Sequence, residues 1–304
     1  MKKLSKIITI LILLYICIQI FMNSSEITNS ILFSFDVWKN NIFPSLFPFF
    51  VISNILINYG FVNVTSKVFK PLTKLFKVSD CASFIIVMGL LSGFPSSSKY
   101  VKELVDNGSI NEKEASKILT FTHFSNPLFI INTIGISFLN SYKIGIKILI
   151  IHYFSNFIIG LIFRNYKVEK SKNNLNFKKN ISLGSVITNS INSSINTLLL
   201  ILGTVSFFLI ITTVINNSIP LNNFFSSIIS GIIEMTQGLK YVSLLDISLK
   251  AKSILSVMFI SFGGISVHMQ TYSIISENKI KYLPFFLARI LHALISGFLM
   301  FVLF

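Results

Sequence analysis

GLLSGFPSSSKYV (residues 89–101) and GIIEMTQGLKYV (residues 231–242) are apolar stretches that glycine and polar residues interrupt near the middle. A second interrupted stretch follows each, FTHFSNPLFIINT (121–133) and ISFGGISVHMQT (260–271), and then HYFSNFIIG (152–160) and RILHALISG (289–297). Matching residues are offset by 137 (Gly160 to Gly297) to 141 (Lys99 to Lys240) positions. Interrupted apolar segments at matching places in two halves indicate a transporter core, because broken helices leave backbone dipoles free at mid-membrane depth. The alternative is chance similarity between two apolar halves.

The composition is that of an integral membrane protein. Of 304 residues, 52% are hydrophobic and only 12% are charged, which is too little polar surface to cover a soluble globule. The net charge of +15 comes mainly from lysines beside apolar stretches, where they set membrane orientation, so nucleic-acid binding is not expected. Cys17 and Cys81 lack the spacing of a disulfide framework or a zinc site, and no cofactor or metal is expected.

Seven apolar segments are long enough to cross about 30 Å of hydrocarbon. They are residues 7–22, 42–59, 118–139, 144–163, 198–215, 254–275 and 283–304. Two further segments, 81–106 and 222–246, are broken in the middle and are predicted to be re-entrant hairpins. A turn at membrane depth must be buried in protein or face a wet cavity. The first segment fits either a secretory signal or an uncleaved helix, and the missing small-x-small motif after it favours the helix.

The positions of the lysines orient this layout. If the N-terminus is cytoplasmic and neither hairpin crosses, then the lysine-bearing segments 67–77, 102–117, 164–179 and 279–281 all lie in the cytoplasm. The two halves then have opposite orientations, as in alternating-access transporters. Lys240, Lys250 and Lys252 fall outside, against the rule. Residues 61–78 are predicted to form an interfacial helix broken at Pro71, with a solvated basic loop as the alternative.

We therefore predict an all-α integral membrane protein of about seven transmembrane helices and two re-entrant hairpins, arranged as an inverted repeat. Residues 1–40 are expected to be an N-terminal membrane helix and an external loop, and residues 41–166 the first repeat. Residues 167–184 are expected to be a basic cytoplasmic linker, and residues 185–304 the second repeat.

Polar residues inside the interrupted segments are the candidates for a substrate site, because polar groups are costly within a membrane. The candidates are Ser92, Gly93, Pro95, Ser96, Ser97, Ser125, Asn126, Thr236, Gln237, Gly263, Gly264, His268, Gln270, Arg289 and His292. The serines around Pro95 fit either helix capping or a ligand-facing tip. Glu234 alone among the carboxylates lies well inside an apolar stretch, so it is the candidate for ion coupling.

Basic residues near the end of the chain raise further alternatives. Arg289 and His292 share one face of the last helix, where they either neutralise Glu234 or bind an anionic substrate. His268 is either a ligand or a hydrogen-bonded structural residue. Ser125 with His268 is the only pair that suggests a hydrolase, and no catalytic motif accompanies it, so we expect no enzymatic activity.

The motifs SGFPSSSK, FSNPLF, EMTQGLK, FGGISVHMQ and ARILHALISG resemble those of the YlbJ-type sporulation integral membrane proteins, which carry the nucleoside-recognition or Gate domain. The resemblance spans roughly residues 40 to 304. It implies a Gate-type fold related to concentrative nucleoside transporters, a spore-forming bacterium, and a role in late spore development. The family is associated with moving dipicolinate, an aromatic dicarboxylate, toward the developing spore. The chain departs from the usual pattern in its three serines at the first hairpin tip, which affects substrate identity more than fold.

The expected function is transport of a small polar, anionic solute such as dipicolinate in spore formation. The alternatives are a nucleoside or other small-molecule carrier, and a non-transporting membrane scaffold for spore assembly. The expected partners are the lipid bilayer and a small-molecule solute, with H⁺ or Na⁺ as coupling ion. A second copy of the chain, or other sporulation membrane proteins, are further candidate partners. The expected location is the bacterial cell membrane, associated with the forespore.

Overall fold

The computed structural model describes residues 2–166 and 182–304, and most of the predicted linker at 167–184 lies outside them. The described residues form helices joined by short turns, without β-strands. The α-helices are α1 (Lys2–Met22), α2 (Ser24–Val37), α3 (Phe43–Asn58), α4 (Phe61–Val68), α5 (Lys70–Phe76), α6 (Ala82–Ser92), α7 (Ser96–Asp106), α8 (Glu112–Ile118), α9 (Tyr142–Ile162), α10 (Leu183–Ser218), α11 (Asn223–Ile233), α12 (Met235–Leu244), α13 (Leu249–Phe262), α14 (Gly264–Ile275) and α15 (Tyr282–Leu303). Trp38–Ile42 and Phe129–Phe138 are π-helical, and Phe163–Asn165 is a 3₁₀ turn.

Five helical stretches in the described part of the chain are long and apolar enough to cross a membrane. They are Ser24–Asn58, Tyr142–Asn165, Leu183–Ser218, Leu249–Ile275 and Tyr282–Leu303. The prediction of an all-α integral membrane protein is therefore confirmed. Of the two other predicted spans, residues 7–22 lie within the apolar helix α1, and residues 119–126, within the predicted span 118–139, are not helical.

Both predicted hairpins consist of two helices that meet at a short break. In the first, α6 ends before Gly93, whose φ of +74° is a conformation that glycine adopts without strain, and the Phe94–Pro95 peptide bond is cis. In the second, α11 and α12 meet at Glu234, which has extended backbone angles. The two arms of the second hairpin pack closely, since a Cβ atom on Gly238 would lie 2.1 Å from the Cα of Gly231. Small residues permit such an approach.

One end of the molecule collects residues that the lysine distribution places in the cytoplasm. The Lys77 Nζ donates to Asn165 Oδ1 at 2.6 Å. Lys102, near the end of α7, pairs with Asp106 at 2.7 Å and with Glu277 at 3.1 Å. The outer ends of the first hairpin therefore lie at this end of the molecule, which we call the lysine-rich pole.

The opposite end collects residues that the lysine distribution places outside. Lys147, in α9, donates to the backbone oxygen of Phe304 at 3.2 Å. Lys250 lies with its Nζ 4.5 Å from the centre of the Phe301 ring. The outer end of the second hairpin lies here as well, because Lys252 donates to the Ser243 oxygen at 2.7 Å. The two hairpins enter from opposite ends, as the predicted opposite orientation of the halves requires.

The external loop predicted before residue 40 is wrong, because residues 24–37 are the helix α2, which continues into α3. Its polar side chains face α10, where Ser30 contacts Thr213 and Ser34 contacts Ser206, each at 2.6 Å. Hydrogen bonds between facing hydroxyls satisfy polar groups inside a membrane helix pair. Hydropathy alone counts these serines as loop residues, which explains the error.

The helix α10 is also longer than the predicted span 198–215, since it begins at Leu183 rather than at residue 198. The additional turns carry buried and half-buried serines that contact neighbouring helices. Ser194 accepts a hydrogen bond from Asn54 at 3.3 Å, and Ser193 accepts one from Lys99 at 2.5 Å. The polar side chains that lower the hydropathy of this segment are therefore the ones that attach it to α3 and α7.

The predicted interfacial helix at residues 61–78 is present as two helices, α4 and α5, that meet at Phe69. The break was expected at Pro71, but Pro71 lies in the first turn of α5. Proline is favoured at that position because the first amide groups of a helix have no intrahelical acceptor.

Candidate functional site

The two hairpin tips and the two interrupted spans meet around one central cavity. It is lined by Ile42, Ser45, Leu46, Phe94, Ser125, Asn126, Phe129, Ile201, Val205, Glu234, Met235, Thr236, Val267 and Gln270. Its volume of about 40 Å³ has room for roughly two or three water molecules. A solute larger than this enters only if the hairpin tips separate.

Five of the predicted site residues line the central cavity: Ser125, Asn126, Glu234, Thr236 and Gln270. They come from the first interrupted span, the second hairpin tip and the second interrupted span. Sequence positions up to 145 residues apart (Ser125 to Gln270) thus meet at one place. The other predicted residues do not line the cavity. They are Ser92, Gly93, Pro95, Ser96, Ser97, Gln237, Gly263, Gly264, His268, Arg289 and His292.

The first hairpin tip packs directly against the non-helical part of the first interrupted span. A Cβ atom on Gly93 would lie 2.5 Å from the backbone nitrogen of Asn126. Asn126 caps the π-helix that follows it, because its Oδ1 accepts from the Leu128 amide at 2.8 Å, and its Nδ2 donates to the Leu91 oxygen at 3.0 Å. The second tip packs in the same way, with Gly264 against the backbone of Met235.

The non-helical residues 119–126 do not leave unpaired carbonyls at membrane depth. Six consecutive carbonyl oxygens each accept a hydrogen bond from outside the segment. The pairs are Thr120 with Arg289 (2.5 Å), Phe121 with Asn156 (2.9 Å), Thr122 with Ser97 (2.5 Å), His123 with Arg289 (3.0 Å), Phe124 with the Phe94 amide (2.7 Å) and Ser125 with Tyr153 (3.3 Å). Irregular backbone is tolerated within a membrane only where its polar groups are satisfied in this way.

Arg289 is fully buried and acts on this segment rather than on the cavity. Its guanidinium group donates to the oxygens of Thr120 and His123 and to the Asn156 Oδ1 at 2.8 Å. Neutralisation of Glu234 was one of two alternatives for Arg289 and His292, and in the described part of the chain no hydrogen bond or ion pair joins either residue to Glu234. The planar guanidinium group spreads its donors over separate nitrogens and so reaches these separated acceptors at once, whereas the donors of a lysine all radiate from one nitrogen.

Hydrogen bonds determine which ring nitrogen carries the proton in two buried histidines, His152 and His292. The Ser125 amide donates to His152 Nε2 at 3.0 Å, so Nδ1 carries the proton and faces Ser261 Oγ at 2.9 Å. Arg289 donates to His292 Nδ1 at 2.9 Å, so His292 Nε2 carries the proton and donates to the His152 oxygen, also at 2.9 Å. Both rings are therefore neutral links between the last helix, α9 and the cavity wall.

Glu234 is 1% exposed and caps α12. Its carboxylate accepts from the Gln237 amide at 3.0 Å and from the Thr236 hydroxyl, while Ser266 Oγ lies 3.4 Å from its other oxygen. Among the described residues, no cation lies within ion-pair distance of it. A carboxylate held only by neutral donors at membrane depth is a place where a proton or a metal cation is favoured.

The remaining predicted residues support the tips. Ser92 and Ser96 bond to each other at 2.6 Å, and no described side chain caps the N-terminus of α7, so these serines do not form the cap that the first alternative describes. Gly263 has a φ of +93° and ends α13. His268 contacts the Tyr282 hydroxyl at 2.7 Å and the Phe262 oxygen at 3.1 Å, as in the structural alternative.

The sequence interpretation omitted His123, His152, Asn156 and Ser45. His152 and Asn156 are four residues apart on α9, so both lie on one face of an apolar helix. That spacing of two polar residues was the sequence signal that could have identified His152 and Asn156 as site residues. His123 gave no such signal, although both of its buried ring nitrogens lack a hydrogen-bond partner in the structure.

We expect Gly93→Ala to abolish the contact between the first tip and the interrupted span. The added methyl group overlaps the Asn126 backbone and forces a strained φ of +74°, which together cost on the order of 2 to 3 kcal/mol. The measurement is the melting temperature of the purified protein in detergent, which we expect to fall in Gly93→Ala. Gly203→Ala is the matched control, because a Cβ atom there meets nothing within 4 Å. Equal melting temperatures for the two variants would contradict the assigned contact.

Comparisons with known proteins agree with this architecture. The Gate family, described as Nucleoside recognition, matches residues 41–142, which run from the π-helical stretch before α3 to the first residue of α9. The solved structure of CNTnw in an inward-facing substrate-bound state covers 99% of this chain and 86% of its own, with a TM-score of 0.50 and 13% sequence identity. At that identity the likeness concerns the fold alone.

The fold and the cavity define an integral membrane protein with a transporter-like helical core. The sporulation integral membrane protein YlbJ of Bacillus subtilis (strain 168) is 30% identical over 300 residues, which cover 86% of this chain and 73% of YlbJ. The chain therefore belongs to the YlbJ family of sporulation integral membrane proteins.

Proposed function

We propose that this protein carries a small polar solute across the membrane by alternating access, with the central cavity as its binding site. The observation that carries the proposal is the meeting of both hairpin tips and both interrupted spans around one small cavity, whose mainly apolar wall includes Ser125, Asn126, Glu234, Thr236 and Gln270. Opposed hairpins that close one site from two sides are the arrangement that permits access from each side in turn. The likeness to CNTnw in its inward-facing substrate-bound state supports the same interpretation.

The coupling ion follows from the chemistry of the cavity. Glu234 lines it without a described cationic partner. A second negative charge on a solute beside this carboxylate is unfavourable in a low-dielectric site. A proton or Na⁺ that binds with the solute removes the repulsion. An anionic solute and a coupling cation therefore bind together or not at all.

The solute class has two candidates. The family association with dipicolinate favours an aromatic dicarboxylate, and the N-termini of α7 and α14, which no described side chain caps, lie next to the lining residues Phe94 and Val267. A nucleoside is favoured by a different observation: the cavity is lined by Asn126, Gln270 and Phe94, and no described lysine, arginine or histidine belongs to its lining. Amide side chains with an aromatic ring suit a neutral base and sugar.

The test is uptake of radiolabelled dipicolinate, and separately of a nucleoside, into proteoliposomes, with and without a proton or sodium gradient. We expect saturable, gradient-dependent uptake of dipicolinate. Saturable uptake of only the nucleoside would replace the anion with a neutral solute. Absence of flux for both, in protein that is folded by its melting temperature, would favour the scaffold interpretation instead.

A further inference from the structure

A second cavity, of about 290 Å³, lies between α2, α10 and α12 at the end opposite the lysine-rich pole. It is much larger than the central cavity and approaches the roughly 300 Å³ of small-ligand sites. Most of its lining residues have polar side chains, among them Glu26, Asn216, Gln237, Lys240 and Tyr241. We call it the Lys240 cavity.

The ammonium group of Lys240 supplies a positive charge to this cavity. It lies 4.0 Å from the centre of the Phe33 ring, which also lines the cavity. Among the described residues, no carboxylate lies within 4.0 Å of it as an ion-pair partner. The carboxylate of Glu26, on the same wall, accepts instead from Asn217. A half-buried cation that faces a polar cavity beside an aromatic ring suits a small carboxylate with a planar ring.

Gln237 connects the Lys240 cavity to the central one. Its side chain lines the Lys240 cavity, where it accepts from Thr212 and donates to the Tyr241 hydroxyl at 2.9 Å. Its backbone amide donates to Glu234, which lines the central cavity. One residue of the second hairpin thus takes part in both sites. A movement of this hairpin that opens the central cavity also moves the wall of the Lys240 cavity.

We propose that the Lys240 cavity is an entry site for carboxylate solutes, in which Lys240 provides the positive charge that the lining of the central cavity lacks. The inference rests on the proposed transport function, and it names the route by which the solute arrives. A solute bound first beside Lys240 reaches the central cavity when the second hairpin moves and Gln237 leaves its bonds with Thr212 and Tyr241.

The test compares three charge variants in dipicolinate uptake, with KM and kcat measured separately. Lys240→Gln is expected to raise KM about five- to twentyfold with kcat unchanged, and Glu26→Gln, which removes a repelling charge from the same wall, to lower it. Lys250→Gln is the matched control, because Lys250 is a cation at the same end that lies over Phe301, outside this cavity. Opposite shifts from the two cavity variants are not expected of a merely structural role. Equal KM values for wild type and Lys240→Gln would overturn the proposal.

Equilibrium binding of dipicolinate to the detergent-purified protein separates this inference from the proposed function. If the wild type binds dipicolinate, Lys240→Gln weakens binding and no variant transports it, then the Lys240 cavity stands as a carboxylate-binding site, and the transport function fails together with the entry role that rests on it. If dipicolinate is transported but neither its binding nor its KM responds to Lys240→Gln, the transport function stands and the entry site fails. Absence of binding to the wild type would overturn the entry site directly. Melting temperatures of all variants show whether each one is folded.

Discussion

Arg289→Gln is expected to destabilise the protein and to abolish transport of every solute, charged or neutral. The substitution removes the donors of Thr120, His123 and Asn156, three buried acceptors in or beside the first interrupted span. An unsatisfied buried acceptor costs about 1 to 3 kcal/mol, and part of this is offset because a buried charge is also removed. A net loss on the order of 3 kcal/mol follows, measured as a lower melting temperature in detergent.

Two comparisons make this expectation specific. Arg289→Lys keeps the charge but presents a single ammonium group, so we expect it to fail nearly as severely as Arg289→Gln. Lys143→Gln removes an exposed charge at the start of α9 and should leave both the melting temperature and the uptake unchanged. If Arg289 bound the substrate carboxylate, Arg289→Gln would keep its stability and would still carry a nucleoside. That result would contradict the positioning role.

Glu234→Gln is expected to uncouple transport from the ion gradient while the fold is kept. A glutamine at this position retains an acceptor for the Gln237 amide, so the cap on α12 survives, but it neither ionises nor takes up a proton or Na⁺. With one coupled ion, a tenfold gradient supports about tenfold accumulation, equivalent to about 1.4 kcal/mol. Glu234→Gln should reduce accumulation to the equilibrium level, measured in proteoliposomes under an imposed proton or sodium gradient.

Exchange of labelled for unlabelled solute across the same vesicles provides the internal comparison, because exchange does not need a gradient. We expect it to stay within about threefold of wild type, in line with the loss of at most about 0.7 kcal/mol of binding. Glu277→Gln is the matched control, since Glu277 is an exposed carboxylate at the lysine-rich pole and its ion pair contributes little. Undiminished accumulation by Glu234→Gln would remove Glu234 from the coupling step.

The errors of the sequence interpretation share one physical cause. The helix at residues 24–37 was predicted as part of an external loop, and the part of α10 before residue 198 was not predicted to be helical, because their serines and asparagines lower the hydropathy. In the structure those hydroxyls face each other or bond to neighbouring helices, as in the contact of Ser34 with Ser206. A polar side chain within a membrane helix is paired by a partner far away in the chain. Hydropathy in a local window contains no information about that partner.

Arg289 illustrates the same limit within the site. Its position in an apolar helix marked it as functional, and burial agrees with that mark. Its actual acceptors, in Thr120 and His123, lie more than 160 residues earlier in the chain. An arginine that binds an anion and an arginine that holds a stretch of bare backbone have the same sequence signature, and only the identity of the neighbouring acceptors separates them.

The sequence alone determined that this protein lies in a membrane, that it is all-helical, and where its two hairpins and its helix interruptions occur. These features depend on local residue composition. Gly93, Glu234 and the Gly263–Gly264 pair break their helices where the sequence predicts. The tertiary structure decided which polar groups face a shared cavity and which satisfy one another. Glu234 and Ser125 became neighbours of one cavity, whereas Arg289 and His292 became supports. The physical reason is that a buried polar group must find a partner, and the fold determines which partners are within reach.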